Sequence, residues 1–149
     1  MKKLQVVPPA PAHREAWAQL YAQYADFYRR EQTEEMRERV WGWLRDPAHE
    51  LEGAVALNTG GVPVGLAHYR PFTRPLAAST GCFLDDLFVA PAARGTGAAD
   101  ALLQHLRDEA RQRGWTLIRW ITAEDNYRAR GMYDRVAART DWVTYDLEP

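Results

Sequence analysis

The six residues Arg94-Gly95-Thr96-Gly97-Ala98-Ala99 have the composition of a loop that holds a phosphate. Glycines and alanines leave the backbone uncovered, the arginine supplies a cation, and Pro91 just upstream helps to end a preceding strand. Where such a loop opens a helix, its unpaired N–H groups and the positive end of the helix dipole together favour a pyrophosphate. Other readings compete for it. The loop can be a plain turn that uses glycine. As a dinucleotide fingerprint it would carry Asp100 in the place of the third glycine of Gly-x-Gly-x-x-Gly, with Glu124 and Asp125 standing in for the ribose-binding acid. A nucleoside-triphosphate loop would need Gly-Lys-Ser/Thr, and none follows. A short way upstream lie two adjacent carboxylates, Asp85 and Asp86, in an otherwise apolar run. Burying such a pair is costly unless each has a partner or chemistry to perform. Strand alternation is expected to send them to opposite faces.

The elements around these residues follow from periodicity. Leu4 to Val7 is a short apolar segment, closed by Pro8-Pro9. Trp17, Leu20, Tyr21, Tyr24 and Tyr28 recur at helical spacing, and a second helix is expected from Thr33 to Asp46-Pro47, with Val40, Trp41 and Leu44 on one face. From Glu52 the period becomes that of strands, with Ala54 to Leu57 and Val62 to Tyr69 forming a hairpin across Gly60-Gly61. Arg70 to Thr80 reads as a proline-containing loop, and Phe83 to Val89 as the next strand. The glycine loop then leads into a helix bearing Ala98, Ala99, Leu102, Leu103, Leu106 and Ala110, stopped at Gly114, and Leu117 to Thr122 reads as a strand parallel to the previous one. Asn126 has the chemistry of an N-cap for a last helix with Ala129, Met132, Tyr133 and Val136 inward, and Val143, Tyr145 and Leu147 alternate as a final strand. The pattern predicts a single α/β domain over residues 1–149, a mixed sheet of about six strands with flanking helices.

Composition narrows the partners. A chain of 149 residues with 46% hydrophobic content buries one core, and a net charge of -1 gives no global attraction to nucleic acid or to an anionic membrane. No run approaches membrane-spanning length, and the opening residues lack the apolar core of a signal peptide. Cys82 is the sole cysteine, which fits a reducing, cytoplasmic setting, and His13, His49, His68 and His105 are too scattered to read as a metal site.

Arg94-x-x-Gly97-x-Ala99 resembles the Arg/Gln-x-x-Gly-x-Gly/Ala signature of the GNAT superfamily of N-acetyltransferases. Leu84-Asp85-Asp86-Leu87-Phe88-Val89-Ala90-Pro91 is similar to the strand preceding that signature, and Asn126 to Asp134 to the later Asn-x-x-Ala-x-x-x-Tyr segment. The order of elements agrees over about residues 4–147, with residues 83–137 the specific part. Asp26 to Tyr28 and Met132-Tyr133-Asp134 resemble the small histone, polyamine and amino-acid acetyltransferases, whereas Ala137-Ala138 departs from the Gly-Phe of many members.

The resemblance implies acetyl-CoA as acyl donor and a primary amine, of a small molecule or a lysine side chain, as acceptor. It implies that the backbone of Leu87, Phe88 and Val89 pairs with the pantetheine arm, that Arg94, Gly95, Thr96, Gly97, Ala98, Ala99 and Asp100 hold the phosphates, and that Asn126 touches the same arm. An alkyl ammonium with a pKa near 10.4 must lose a proton before it attacks, and Asp85 corresponds to the family's acidic base. Asp86 anchors substrate or braces a loop, and either aspartate is open as the base. Tyr133 matches the family tyrosine that donates to the departing thiolate. Tyr28, Asp86 and Arg70 are expected near the acceptor: acidic residues would draw a cationic amine, and an arginine fork would hold an amino acid's carboxylate. No metal is expected, and a homodimer is compatible with the aromatic-rich surface. The alternative function is a non-catalytic acyl-CoA sensor on the same fold.

Overall fold

The computed structural model describes residues 4–149; the first three, including both lysines, lie outside it. Five strands form one sheet in sequence order: β1 (Gln5–Val7), β2 (Glu52–Leu57), β3 (Pro63–Arg74), β4 (Ser79–Val89) and β5 (Ile118–Arg119). The first four are antiparallel neighbours, and β5 joins β4 in parallel. The helices are α1 (Arg14–Phe27), α2 (Glu34–Arg45), α3 (Ala98–Arg113) and α4 (Tyr127–Val136). No helix among the described residues is long and apolar enough to cross a membrane.

Alternation divides the sheet's side chains between two cores. Val55, Leu57, Leu66 and Phe88 pack with Trp17 and Leu20 of α1. Ala54, Ala56, Ala67, Tyr69, Cys82 and Leu84 pack with Leu102, Leu103 and Leu106 of α3, and Met132 and Val136 of α4 join that side. The three alanines give α3 close access to the sheet, and at Gly65 even a Cβ would meet Leu102 Cδ1 at 3.3 Å. Local signals act as expected at several ends. Thr33 caps α2 by accepting from the Met36 N–H at 3.1 Å, and Gly114 ends α3 with φ of 70°.

Three elements differ from the sequence expectation. Residues 70–80 are not a loop: β3 and β4 continue as a hairpin as far as Arg74↔Ser79. Pro71 is tolerated there because its partner Cys82 sends its own N–H to Leu117 O at 2.8 Å, away from β3. The side of β3 that lacks the proline donor is the side on which β2 has already ended, at Glu52↔Tyr69. The strand expected over residues 117–122 is cut to two residues, because β4 and β5 part after Phe83↔Arg119. The final strand through Val143, Tyr145 and Leu147 does not form; every residue from 137 to 149 is exposed, so the sheet has five strands.

The pairing of β3 with β4 also contains one extra residue. His68 faces Asp86 and Tyr69 faces Leu84, which leaves Asp85 without a partner in a β-bulge.

Candidate functional site

Where β4 leaves β5, a cleft of about 560 Å³ opens. Leu87, Phe88 and Val89 form one wall, the turn after β4 and the start of α3 form its end, and α4 closes it with Met132 and Tyr133. The strand separation leaves the outer edge of β4 without a ladder beyond Phe83. The Ala90 N–H donates to Val64 O in β3 at 2.8 Å, and backbone direction reverses at each residue of a strand. The N–H groups of Leu87 and Val89 therefore point into the cleft, and that of Phe88 points to β3.

The end of the cleft presents uncapped amides that can receive an anion. Gly95 and Gly97 have φ of 82° and 89°, a left-handed conformation that only glycine adopts without strain. Gly97 is the N-cap of α3 and offers no side-chain acceptor, so the first-turn amides of Ala98, Ala99 and Asp100 keep their donors free at the positive end of a 16-residue helix. Thr96 turns its hydroxyl inward to Ala93 O at 2.5 Å. Arg94 lines the cleft with its guanidinium 6.0 Å from the Phe27 ring and 5.9 Å from the Phe88 ring, which anchors the cation at the mouth.

Across the cleft, Asn126 stands at the N-cap of α4 but does not cap it. Its Nδ2 donates to Tyr28 Oη at 3.3 Å and to Thr122 Oγ1 at 3.1 Å, tying the end of α1 to the start of α4. Tyr133 lies edge-on to Trp120, with centroids 5.2 Å apart. Burial, with a smaller effect of Tyr28, pushes its hydroxyl up to about 12, so the phenol is protonated at neutral pH.

The two carboxylates overturn the expectation of opposite faces. His68 and Arg70, two apart on β3, lie on the same side of the sheet; Asp86 bonds the first and Asp85 the second. The bulge at Asp85 shifts the alternation by one residue, which turns both carboxylates toward α1. Nothing in the residue types signals that shift.

Their environments nevertheless separate them. Trp17 Nε1–H donates to His68 Nε2 at 2.9 Å. An indole N–H can only donate, so His68 carries its proton on Nδ1 and donates it to Asp86 Oδ2 at 2.8 Å. Tyr21 Oη donates to the same oxygen at 2.9 Å. Burial alone would raise the Asp86 pKa; the hydrogen bonds from His68, Tyr21 and Tyr24 outweigh it and hold the carboxyl below its ordinary range. Asp85 goes the other way. Burial raises its pKa, the ion pair with Arg70 opposes this, and the Asp86 charge adds to the rise. Arg70 reaches Asp85 through Nε at 3.0 Å and Nη2 at 3.4 Å and lies over the Phe83 ring at 5.0 Å.

Neither aspartate nor Arg70 lines the cleft itself. The link is aromatic: Tyr21, Tyr24 and Tyr28 form a chain with centroid spacings of 5.9 and 4.9 Å, ending on Tyr28 in the cleft wall. Sequence periodicity placed these tyrosines on one helix face but missed Tyr21, Tyr24 and His68 as partners of Asp86, and Trp17 as the partner of His68. The visible signal was a histidine two residues before Arg70 on a strand facing α1. Cys82 lies in the α3 core, fully buried, with its thiol pushed up to about 12 by burial, which does not suit a nucleophile.

With this geometry in view, the family model described as "Acetyltransferase (GNAT) family" matches residues 17–137. The chain is similar to a D-amino-acid N-acetyltransferase from Saccharomyces cerevisiae, 30% identical over 136 residues that cover 91% of this chain and 84% of that protein. A solved structure of a probable acetyltransferase superposes with a TM-score of 0.85 at 28% identity, over 97% of each chain. The structure of AAC(6')-Iy in complex with the bisubstrate analogue CoA-S-monomethyl-acetylneamine superposes at 0.83 with 18% identity over 99% of each chain, a likeness of fold.

The loop geometry gives a stability test. No atom lies within 4 Å of a Cβ built on Gly97, so Gly97→Ala meets only the backbone cost of its φ of 89°. Chemical denaturation of this variant should show a loss of about 1–2 kcal/mol. A variant as stable as the parent would mean that the turn does not hold the left-handed conformation.

Proposed function

We propose, from the premise that this chain belongs to the GNAT family of acetyltransferases and takes its acetyl group from acetyl-CoA, that the acceptor is the primary amine of a small molecule and that the amine's proton leaves through Asp85. The observation that carries this reading is the bulge, which sets two carboxylates on one face of the sheet and leaves one raised and one lowered in pKa. Two neighbouring acids driven apart in this way divide the work between proton acceptor and fixed anion.

In this reading the turn from Gly95 to Asp100, through its free amides at the start of α3, holds the donor's phosphates with Arg94, and the free edge at Leu87 to Val89 holds its pantetheine arm beside Asn126. The Val89 N–H donates to the thioester oxygen as negative charge gathers there. The amine nitrogen forms the new bond to the acetyl carbon, and the carbon–sulfur bond breaks. Before attack the ammonium gives one proton to Asp85 through water, since Asp85 lies outside the cleft lining, while Asp86 remains an anion held by His68 and Tyr21. The second proton, which the nitrogen sheds as the carbon–sulfur bond breaks, passes through water to the departing thiolate. Tyr133 faces the departing sulfur. With its pKa near 12, complete transfer to a thiolate whose conjugate acid has a pKa of about 8.5 would be uphill by roughly 5 kcal/mol, so its hydroxyl acts as a hydrogen-bond donor to the developing charge.

Two acceptor classes remain to be separated. The Asp85–Asp86 pair, with Arg70 already engaged by Asp85, favours an amine without a carboxylate, such as a polyamine. The yeast relative's activity on D-amino acids favours an amino acid, whose carboxylate Arg70 would have to hold.

Tyr133→Phe should lower kcat on the order of 10- to 100-fold with little change in acetyl-CoA affinity, as expected for a hydrogen bond made chiefly in the transition state. Unchanged turnover would return Tyr133 to a packing role. For Asp85, the raised pKa places the acid limb of the kcat/KM profile above the ordinary aspartate range. Asp85→Asn should lose rate at neutral pH and regain it as rising pH deprotonates the free amine. A profile identical to the parent's would assign the base elsewhere. The acceptor is read from kcat/KM for spermidine against a D-amino acid, repeated in Arg70→Ala. The expected result is a preference for spermidine, with both acceptors reduced alike in the variant through Asp85. Amino-acid preference lost selectively in Arg70→Ala would reverse the assignment.

A further inference from the structure

Asp86 carries a charge that nothing beside it balances. Its side chain is 17% exposed, and its partners are the Nδ1–H of His68 and the hydroxyls of Tyr21 and Tyr24. Among the described residues no lysine or arginine stands within ion-pair distance of it, and Arg70 is engaged by Asp85. Buried charges are ordinarily paired, so a carboxylate held only by neutral donors leaves room for a cation from outside. The one partner that could itself become a cation is His68, 1% exposed, which donates Nδ1–H to Asp86 and accepts the Trp17 indole N–H on Nε2 at 2.9 Å. A second proton could enter only at Nε2, facing that N–H directly. Trp17 is also 1% exposed, so imidazolium formation would strand a buried donor and set a charge in the core. The other groups around the pair are Asp85 and Arg70 on the sheet and Tyr21 and Tyr24 on α1, both phenols raised by burial and hence uncharged at neutral pH. From α2 the neighbour is the uncharged Trp41 ring, 5.1 Å from that of Trp17.

Given a small-molecule amine as acceptor, we propose that Trp17 is a positioning residue for recognition of that amine: by holding His68 as the neutral Nδ1–H tautomer, it keeps the His68–Asp86 pair at one net negative charge, which favours an acceptor bearing a second ammonium. An imidazole with a free Nε2 takes up a proton near pH 6.5, and beside a carboxylate at a higher pH. The pair would then be neutral over much of the physiological range. The indole removes that option. Arg70 balances Asp85, so the charge of Asp86 is the surplus of the whole cluster. The rings of Tyr21, Tyr24 and Tyr28 run from Asp86 to the cleft wall, and their faces offer a cation further attraction along the way. Trp17 does not line the cleft, and its effect passes through His68.

The test compares two acceptors of equal carbon chain, 1,4-diaminobutane and 1-aminobutane, in the parent and in Trp17→Phe. His68 is followed by long-range 1H–15N NMR and identified by the signal lost in His68→Gln. Both acceptors share Asp85, so the ratio of their kcat/KM isolates the effect of the second charge. The parent should keep His68 protonated on Nδ1 alone from about pH 8 to about pH 6, with a constant ratio across that range. In Trp17→Phe, His68 should take up a proton as pH falls, and the preference for the diamine should drop on the order of tenfold, carried by KM. Combining Trp17→Phe with His68→Gln, whose amide cannot be protonated, should make the ratio constant again. Three results would overturn the proposal: an imidazolium or an Nε2 proton in the parent at about pH 6, which needs no variant to fold; a ratio in Trp17→Phe as constant as the parent's; or a fall that persists in the double variant. Turnover of neither amine by the parent, with His68 neutral, would instead overturn the small-amine assignment on which the proposal stands.

Discussion

The unpaired edge of β4 is the constraint on which the rest of the structure depends. Two parallel strands share a ladder only at Cys82↔Ile118 and Phe83↔Arg119 and then separate, leaving inward N–H groups at Leu87 and Val89 in a cleft lined largely by apolar side chains. A buried donor without a partner costs on the order of 1–3 kcal/mol, so this edge is stable only where water or an extended ligand can reach it. The rest of the cleft fits that requirement. An extended arm laid along β4 would run toward the start of α3, where left-handed glycines expose further amides. The same strand that supplies the edge therefore also aims the glycine turn that opens α3.

A second consequence follows from the extra residue in β4. Without the bulge, the alternation through Cys82 and Leu84 would send Asp86 into the α3 core among Leu102 and Leu106, an apolar place for a carboxylate. With it, Asp85 and Asp86 share the α1 face and are sorted by their partners. Asp86 meets a histidine whose tautomer is fixed by a buried tryptophan, and it is held as an anion. Asp85 meets an arginine, half in water, and stays the more basic of the two. One inserted residue thus converts a repeated side chain into two different acids, and the aromatic chain of α1 runs from Tyr21, on Asp86, to the cleft wall at Tyr28.

Much of this was legible in the residues, and what was not has identifiable causes. The glycine loop, the helix ends at Thr33 and Gly114 and the apolar faces of α1 and α3 are local signals, and local signals survive folding. Asn126 was legible as a cap by type, but Tyr28, 98 residues away in sequence, took its side chain. The continuation of β3 through Pro71 depended on which way the Cys82 N–H points, a property of the sheet rather than of the proline. The bulge is a matter of register between two strands, and neither strand encodes it alone. The missing final strand reads the same way: Val143, Tyr145 and Leu147 have the pattern, but a pattern by itself does not decide whether the segment reaches a sheet.

The most direct test of this account is amide hydrogen exchange at three consecutive residues of β4, with and without acetyl-CoA. The free protein should exchange Leu87 and Val89 quickly and Phe88 slowly, because Phe88 alone of the three donates to β3. Saturating acetyl-CoA should protect Leu87 and Val89 and leave Phe88 as it was. Protection of Leu87 and Val89 already present without acetyl-CoA, or no change at either on its addition, would contradict the claim that this edge is the cofactor's backbone partner.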